Sequence, residues 1–127
     1  MISTTYLHNF LSSAVFTIVV ETAVLFFLLR FVIKNKDINS GKVIFAGFFA
    51  SLATIPYVWF VFPYILEWPR KTSLLFSEPF AFIIEAIFYK GFLKIDTKTS
   101  LILSLVCNLS SYFLGPFLRS QGLWIYW

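Results

Sequence analysis

Apolar residues run along this chain in four long blocks parted by short polar stretches. The blocks cover about 10–33, 42–66, 73–93 and 99–118. Each reaches the roughly 20 residues that an α-helix needs to cross a hydrocarbon layer of about 30 Å. Between them lie Lys34-Asn-Lys-Asp-Ile-Asn-Ser-Gly41, Glu67-Trp-Pro-Arg-Lys-Thr72 and Lys90-Gly-Phe-Leu-Lys-Ile-Asp-Thr-Lys98, which carry charge and turn residues. The pattern predicts an all-α fold. It is an integral membrane bundle of four transmembrane helices, with antiparallel neighbours, both termini on one side and a single domain over residues 1–127. Met1 to Asn9 holds no Lys or Arg, and no small-x-small cleavage site follows the first block, so that block is expected to remain as a helix.

Prolines and caps refine the elements. Pro56 is expected to kink the second helix and to free the carbonyl of Leu52. Ser77-Glu78-Pro79 reads as a helix start, with Ser77 as N-cap and Pro79 in the first turn; Ser73 to Phe76 would then lie along the membrane surface. On that reading Glu78 sits at a helix N-terminus, where the dipole favours a negative charge. Asp96 or Thr97 is placed to cap the fourth helix, and Gly115-Pro116 to weaken or end it. Arg30 lies where a long side chain can reach toward headgroups. The tail Leu123-Trp-Ile-Tyr-Trp127 suits the aromatic belt of a membrane surface.

Composition agrees with this picture. The chain is 59% hydrophobic, 21% aromatic and only 13% charged, against about 25% charged in soluble domains. Its mean hydropathy is +0.84. Seventeen Phe in 127 residues would leave a water-soluble fold with apolar surface it cannot cover. The net charge of +4 does not point to nucleic acid, because the ten basic residues sit at or near block ends. Arg30, Lys34, Lys36, Lys42, Lys90, Lys94 and Lys98 fall on one side; Arg70, Lys71 and Arg119 fall on the other. The positive-inside rule then puts loops 34–42 and 90–99 in the cytoplasm and both termini outside, in a plasma or inner membrane. The one cysteine, Cys107, excludes an internal disulfide and a cysteine metal cluster. His8 is the only histidine and no nucleotide-binding loop occurs, so no metal or cofactor is expected.

The candidate chemistry lies at the centres of the blocks. Glu21, Thr54 and Asn108 mark the middle of the first, second and fourth; Glu85 lies two residues past the middle of the third, about 3 Å along a helix. Four helices thus bring a polar side chain to one depth. Glu78 is seven residues before Glu85 and Tyr89 four after it, so all three share a helix side. Ser111 follows Asn108 on a stripe with Ser104 and Gly115; Gly47, Ser51 and Thr54 form a second small-residue stripe suited to close helix approach. Ser13 and Thr17 precede Glu21 at steps of four and are expected to bond to their own helix carbonyls.

A charged acid at the bilayer centre costs about 2.5–3.5 kcal/mol, so a pair roughly cancels a dozen Leu or Phe residues at about 0.3–0.6 kcal/mol each. A proton, hydrogen bonds or a bound cation must offset that cost. As plain interhelical glue the acids are expensive, since glutamine would bond with less penalty. The leading expectation is proton- or cation-coupled transport, or permeation of a small solute. Glu21 and Glu85 would be the binding pair, with Asn108, Thr54, Ser111, Glu78 and Tyr89 around them. The lipid bilayer is the first partner, and a homo-oligomer or a partner membrane protein the second. The alternative is a non-catalytic assembly subunit whose polar layer specifies helix pairing. An intramembrane enzyme using the two glutamates comes third.

Overall fold

The structure, a computed structural model, describes residues 1–122; the aromatic tail at 123–127 lies outside the described residues. Four helical elements fill the chain, and no strand occurs among the described residues. Helix α1 (Thr4–Phe27) passes into wider π-helical turns over Leu28–Val32. Helix α2 (Ser40–Pro56) continues as a π-helical stretch over Tyr57–Ile65. Helices α3 (Arg70–Leu93) and α4 (Thr97–Ser120) are α-helical throughout. All four are long and apolar enough to cross a membrane.

Side chains start three of them. The Ser3 hydroxyl accepts from the Tyr6 amide at 3.1 Å, the Asn39 carbonyl group from Gly41 at 2.7 Å and the Asp96 carboxylate from Thr99 at 3.3 Å. The cap at Ser3 lets α1 begin six residues before the apolar block does. Of the two capping candidates for α4, Asp96 is the one used.

Two local expectations are corrected. Helix α3 does not begin at Ser77. It starts at Arg70, directly after Pro69, and Ser77 is fully buried in its interior. Glu78 is therefore a mid-helix residue with no N-terminal dipole beside it. Pro116 does not end α4, which runs on to Ser120 before Gly122 turns out at φ +76. At Pro56, where a kink is expected, the second helix changes character. The backbone widens after it, and the 57–65 stretch absorbs both Pro56 and Pro63 with i→i−5 bonds such as Leu66 N to Val61 O at 3.0 Å.

Packing is inside-out by the standard of a water-soluble protein. Large apolar side chains cover the outside; Leu75 and Phe31 are 68% and 64% exposed. Small and polar residues fill the inside, among them Ser13, Ser51, Ser77, Ser100 and Ser104. Helices α1 and α2 approach closely at Gly47. A Cβ at Gly47 would stand 2.8 Å from the Thr22 Cα, so glycine is needed for these backbones to meet. Arg30 is half-buried and ties the first loop together, donating to the carbonyls of Asn35 (2.6 Å) and Ile38 and to Ser40 Oγ (3.0 Å). Beyond the middle of the bundle, toward that loop, Leu25, Leu29, Val43, Leu93, Leu103 and their neighbours close the core with an apolar cluster.

Candidate functional site

Each helix delivers its central polar residue to the bundle interior, and the bonds run between helices. Glu21 from α1 accepts from Ser51 of α2 and Ser111 of α4, each at 2.6 Å and on a different carboxylate oxygen. Glu85 from α3 accepts from Thr54 of α2 at 2.8 Å and from the Asn108 amide of α4 at 2.6 Å, again one per oxygen. Both glutamates are 1% exposed. The bonds are as short as charge-assisted ones, yet the four donors are three hydroxyls and one amide, all neutral. The layer holds two acids and no base.

Side chains around the pair are themselves fixed. Asn108 also donates to the Ser104 carbonyl at 2.9 Å, which sets its orientation. Ser104 donates to the Phe82 carbonyl at 2.7 Å and so joins α4 to α3. Cys107 reaches the Glu21 carbonyl at 3.5 Å and is otherwise a small buried hydrophobe.

A void of about 30 Å³ adjoins both carboxylates and is also lined by Thr17, Thr54, Asn108 and Ser111. It has room for a water molecule or a bare ion and none for an organic solute. Thr17 is 7% exposed and its hydroxyl makes no hydrogen bond to a described residue, so it does not bond back to its own helix as expected. Val58, Trp59 and Glu78 line this void and also a cavity of about 440 Å³ toward the termini, walled by Tyr6, Asn9, Arg70 and Arg119. A third space, about 600 Å³, lies between α3 and α4 and shares Glu78 and Asn108 with the void.

Of the residues singled out from the sequence, Glu21, Thr54, Glu85, Asn108 and Ser111 meet in one layer. Glu78 lies two turns nearer the termini and borders all three spaces. Tyr89 does not join them. It is fully buried in the apolar cluster on the opposite side, and its hydroxyl has no hydrogen-bond partner among the described residues. Ser51 is the residue that sequence reasoning misses, because its place on a small-residue stripe points only to helix packing. It lies three residues before Thr54, on the same helix face, and that spacing is the available signal. Among the described residues no group of three or more His, Cys, Asp or Glu side chains is placed to hold a metal ion.

No protein-family model, no curated protein and no solved structure matches this chain.

Proposed function

We propose that this chain is a multi-pass protein of the plasma or inner membrane that moves a proton or a small cation by way of the Glu21–Glu85 pair, alone or coupled to another solute. The observation that carries the reading is the line of spaces from the end of the bundle near the termini to the void between the two acids, stopped beyond it by the apolar cluster around Leu25, Leu29 and Leu103. Two buried carboxylates with neutral donors alone need a proton or a cation to be tolerated in hydrocarbon. Exchange with water through an open half-path supplies either.

The helices are antiparallel to their neighbours in this proposal. Support comes from Tyr6, near the start of α1, whose hydroxyl donates to the Trp59 carbonyl past the end of α2 at 2.6 Å, and from Arg30, near the other end, which bonds to the start of α2. The charge bias supports an orientation with loops 34–42 and 90–99 in the cytoplasm and the open half-path outside. The central void admits only an ion or a water, so a larger solute would need a second copy of the chain or a partner protein. One observation favours the alternative, in which the layer only holds helices together: all four carboxylate oxygens already have a donor.

Purified protein in liposomes with a trapped pH dye separates the two. Under an imposed potential the native protein is expected to pass protons or a monovalent cation, and Glu85→Gln to lose most of that flux. No flux from the native protein, or undiminished flux in Glu85→Gln, refutes the transport reading.

A further inference from the structure

Glu78 stands apart from the other two acids. Glu21 and Glu85 each accept two short hydrogen bonds, whereas no described residue donates a hydrogen bond to Glu78 or forms an ion pair with it. Its side chain is half-buried at the point where all three spaces meet. A carboxylate so placed has lost much of its water and has gained nothing from the protein in exchange.

The space between α3 and α4 has a definite character. Its walls are Leu75, Pro79, Leu105, Leu109 and Tyr112, with Phe82 beside them. Leu75, Leu105, Leu109 and Tyr112 are 68%, 46%, 44% and 37% exposed on the outer surface of the bundle. In a membrane this groove therefore opens sideways to acyl chains. Its volume, about 600 Å³, suits a drug-sized molecule. The polar lining is Lys71, Glu78, Asn108 and the hydroxyl of Tyr112. Lys71 is exposed in the first turn of α3, seven residues before Glu78 and so about 10 Å nearer the surface. The Asn108 amide is committed to Glu85 and Ser104. On the other side of Glu78, Arg70 and Arg119 line the neighbouring cavity. At the depth of Glu78 the groove thus offers one negative charge between apolar walls, with no positive charge beside it.

We propose that the α3–α4 groove binds a cationic amphiphile, an amine or quaternary ammonium on an apolar body, with its nitrogen against Glu78. The apolar body lies along Leu75, Phe82, Leu105 and Leu109, and the charge replaces the partner that the protein does not supply. Asn108 borders both this groove and the central void and donates to Glu85, so an occupant sits one residue from the buried pair. The proposal rests on the membrane-spanning reading and not on transport.

The test uses the full chain in lipid nanodiscs, titrated with dodecyltrimethylammonium, with dodecanol and dodecyl phosphate as chain-matched controls and empty discs as background. Saturable binding of the ammonium is expected, about tenfold or more tighter than either control, as one desolvated charge contact implies. Glu78→Gln should abolish that preference while leaving dodecanol binding unchanged. Leu109→Trp, which fills the groove, should weaken all three probes. Glu85→Gln should leave the preference intact. The proposal is overturned by ammonium binding no greater than to empty discs, by dodecyl phosphate binding as tightly, or by a preference that survives in Glu78→Gln. If Glu78→Gln loses its helical circular dichroism, Leu109→Trp and Glu78→Asp carry the test, and undiminished binding in the former overturns it equally. Ammonium binding with no ion flux in liposomes leaves the groove site standing and removes the transport reading; flux without ammonium binding does the reverse.

Discussion

Gly47→Ala tests how tightly the fold and the buried layer are joined. The added methyl would lie 2.7 Å from Thr22 Oγ1 and 2.8 Å from Thr22 Cα. Rotating the threonine relieves the first clash but not the second, which is with the backbone itself. Carbon atoms pack at about 3.5–4.0 Å, so α1 and α2 must part by about 1 Å at this level. Glu21 is the neighbour of Thr22, and Ser51 lies one turn beyond Gly47. Their 2.6 Å bond would then stretch to about 3.5 Å, the limit of a hydrogen bond. Overpacking costs about 1–3 kcal/mol, and a lost bond to a charged acceptor about 1.5–3 kcal/mol. Helix tilt relieves part of the first, so about 3 kcal/mol is expected. Reversible unfolding in mixed micelles, followed by circular dichroism as dodecyl sulfate displaces the mild detergent, measures it. Thr22→Ala should not rescue the variant, because the clash with the α1 backbone remains. A Gly47→Ala protein within about 0.5 kcal/mol of the native one, the range of an ordinary surface change, would refute the close-approach argument.

Asn108→Leu leaves one Glu85 oxygen without its donor and should cost about 1.5–3 kcal/mol in the same titration; no loss would show that the 2.6 Å bond contributes nothing. Asp96, which lies between two of the candidate spans, predicts a pH effect. Hydrogen bonds from the Thr99 hydroxyl and then its amide hold this exposed carboxyl below the ordinary aspartate value. Its capping contribution is therefore complete above that ordinary value and is lost as pH falls through the depressed one. The protection factor of the first-turn amides of α4, their exchange measured against that of the free chain at the same pH, should fall at acid pH in the native chain, and Asp96→Asn should remove that fall; an unchanged profile in that variant argues against the cap.

Depth is legible in the sequence because it depends only on distance along each apolar block. Glu21, Thr54, Glu85 and Asn108 lie near the centres of helices of similar length, and they meet. Direction around the helix is legible only in part. Tyr89 follows Glu85 by one turn and shares its side, but that step moves it about 6 Å along the axis, out of the polar layer and into the apolar cluster. Ser51 shares a face with Thr54 and escapes notice because a small residue also suits packing. The start of α3 misleads for a different reason. Ser77-Glu78-Pro79 carries good capping chemistry, but a helix beginning there would leave about four amide N–H groups without partners inside the bundle. Continuing through Pro79 forfeits about one backbone bond, so the helix runs back to Arg70. Pro116 is tolerated on the same terms.

The hydrogen bonds also bear on why the layer holds acids. A carboxylate accepts at both oxygens, and here four donors meet four oxygens, which by itself could account for glutamate. The hydroxyls, however, have other outlets. Ser51 lies 3.0 Å from the Gly47 carbonyl, Ser111 3.0 Å from that of Asn108 and Thr54 3.1 Å from that of Ser51. Each can turn its proton to its own helix and accept from an amide instead. Glutamine at position 21 could accept from one hydroxyl and donate to the other, and glutamine at 85 could accept from Asn108 and donate to Thr54 turned to the Ser51 carbonyl. Hydrogen bonding therefore does not require an acid at either site, while the desolvation cost argues against one. What the carboxylates add is charge and the capacity to take up and release a proton or hold a cation. For the same reason Glu21→Gln and Glu85→Gln are clean probes, since they remove that capacity and leave the network that holds the helices together.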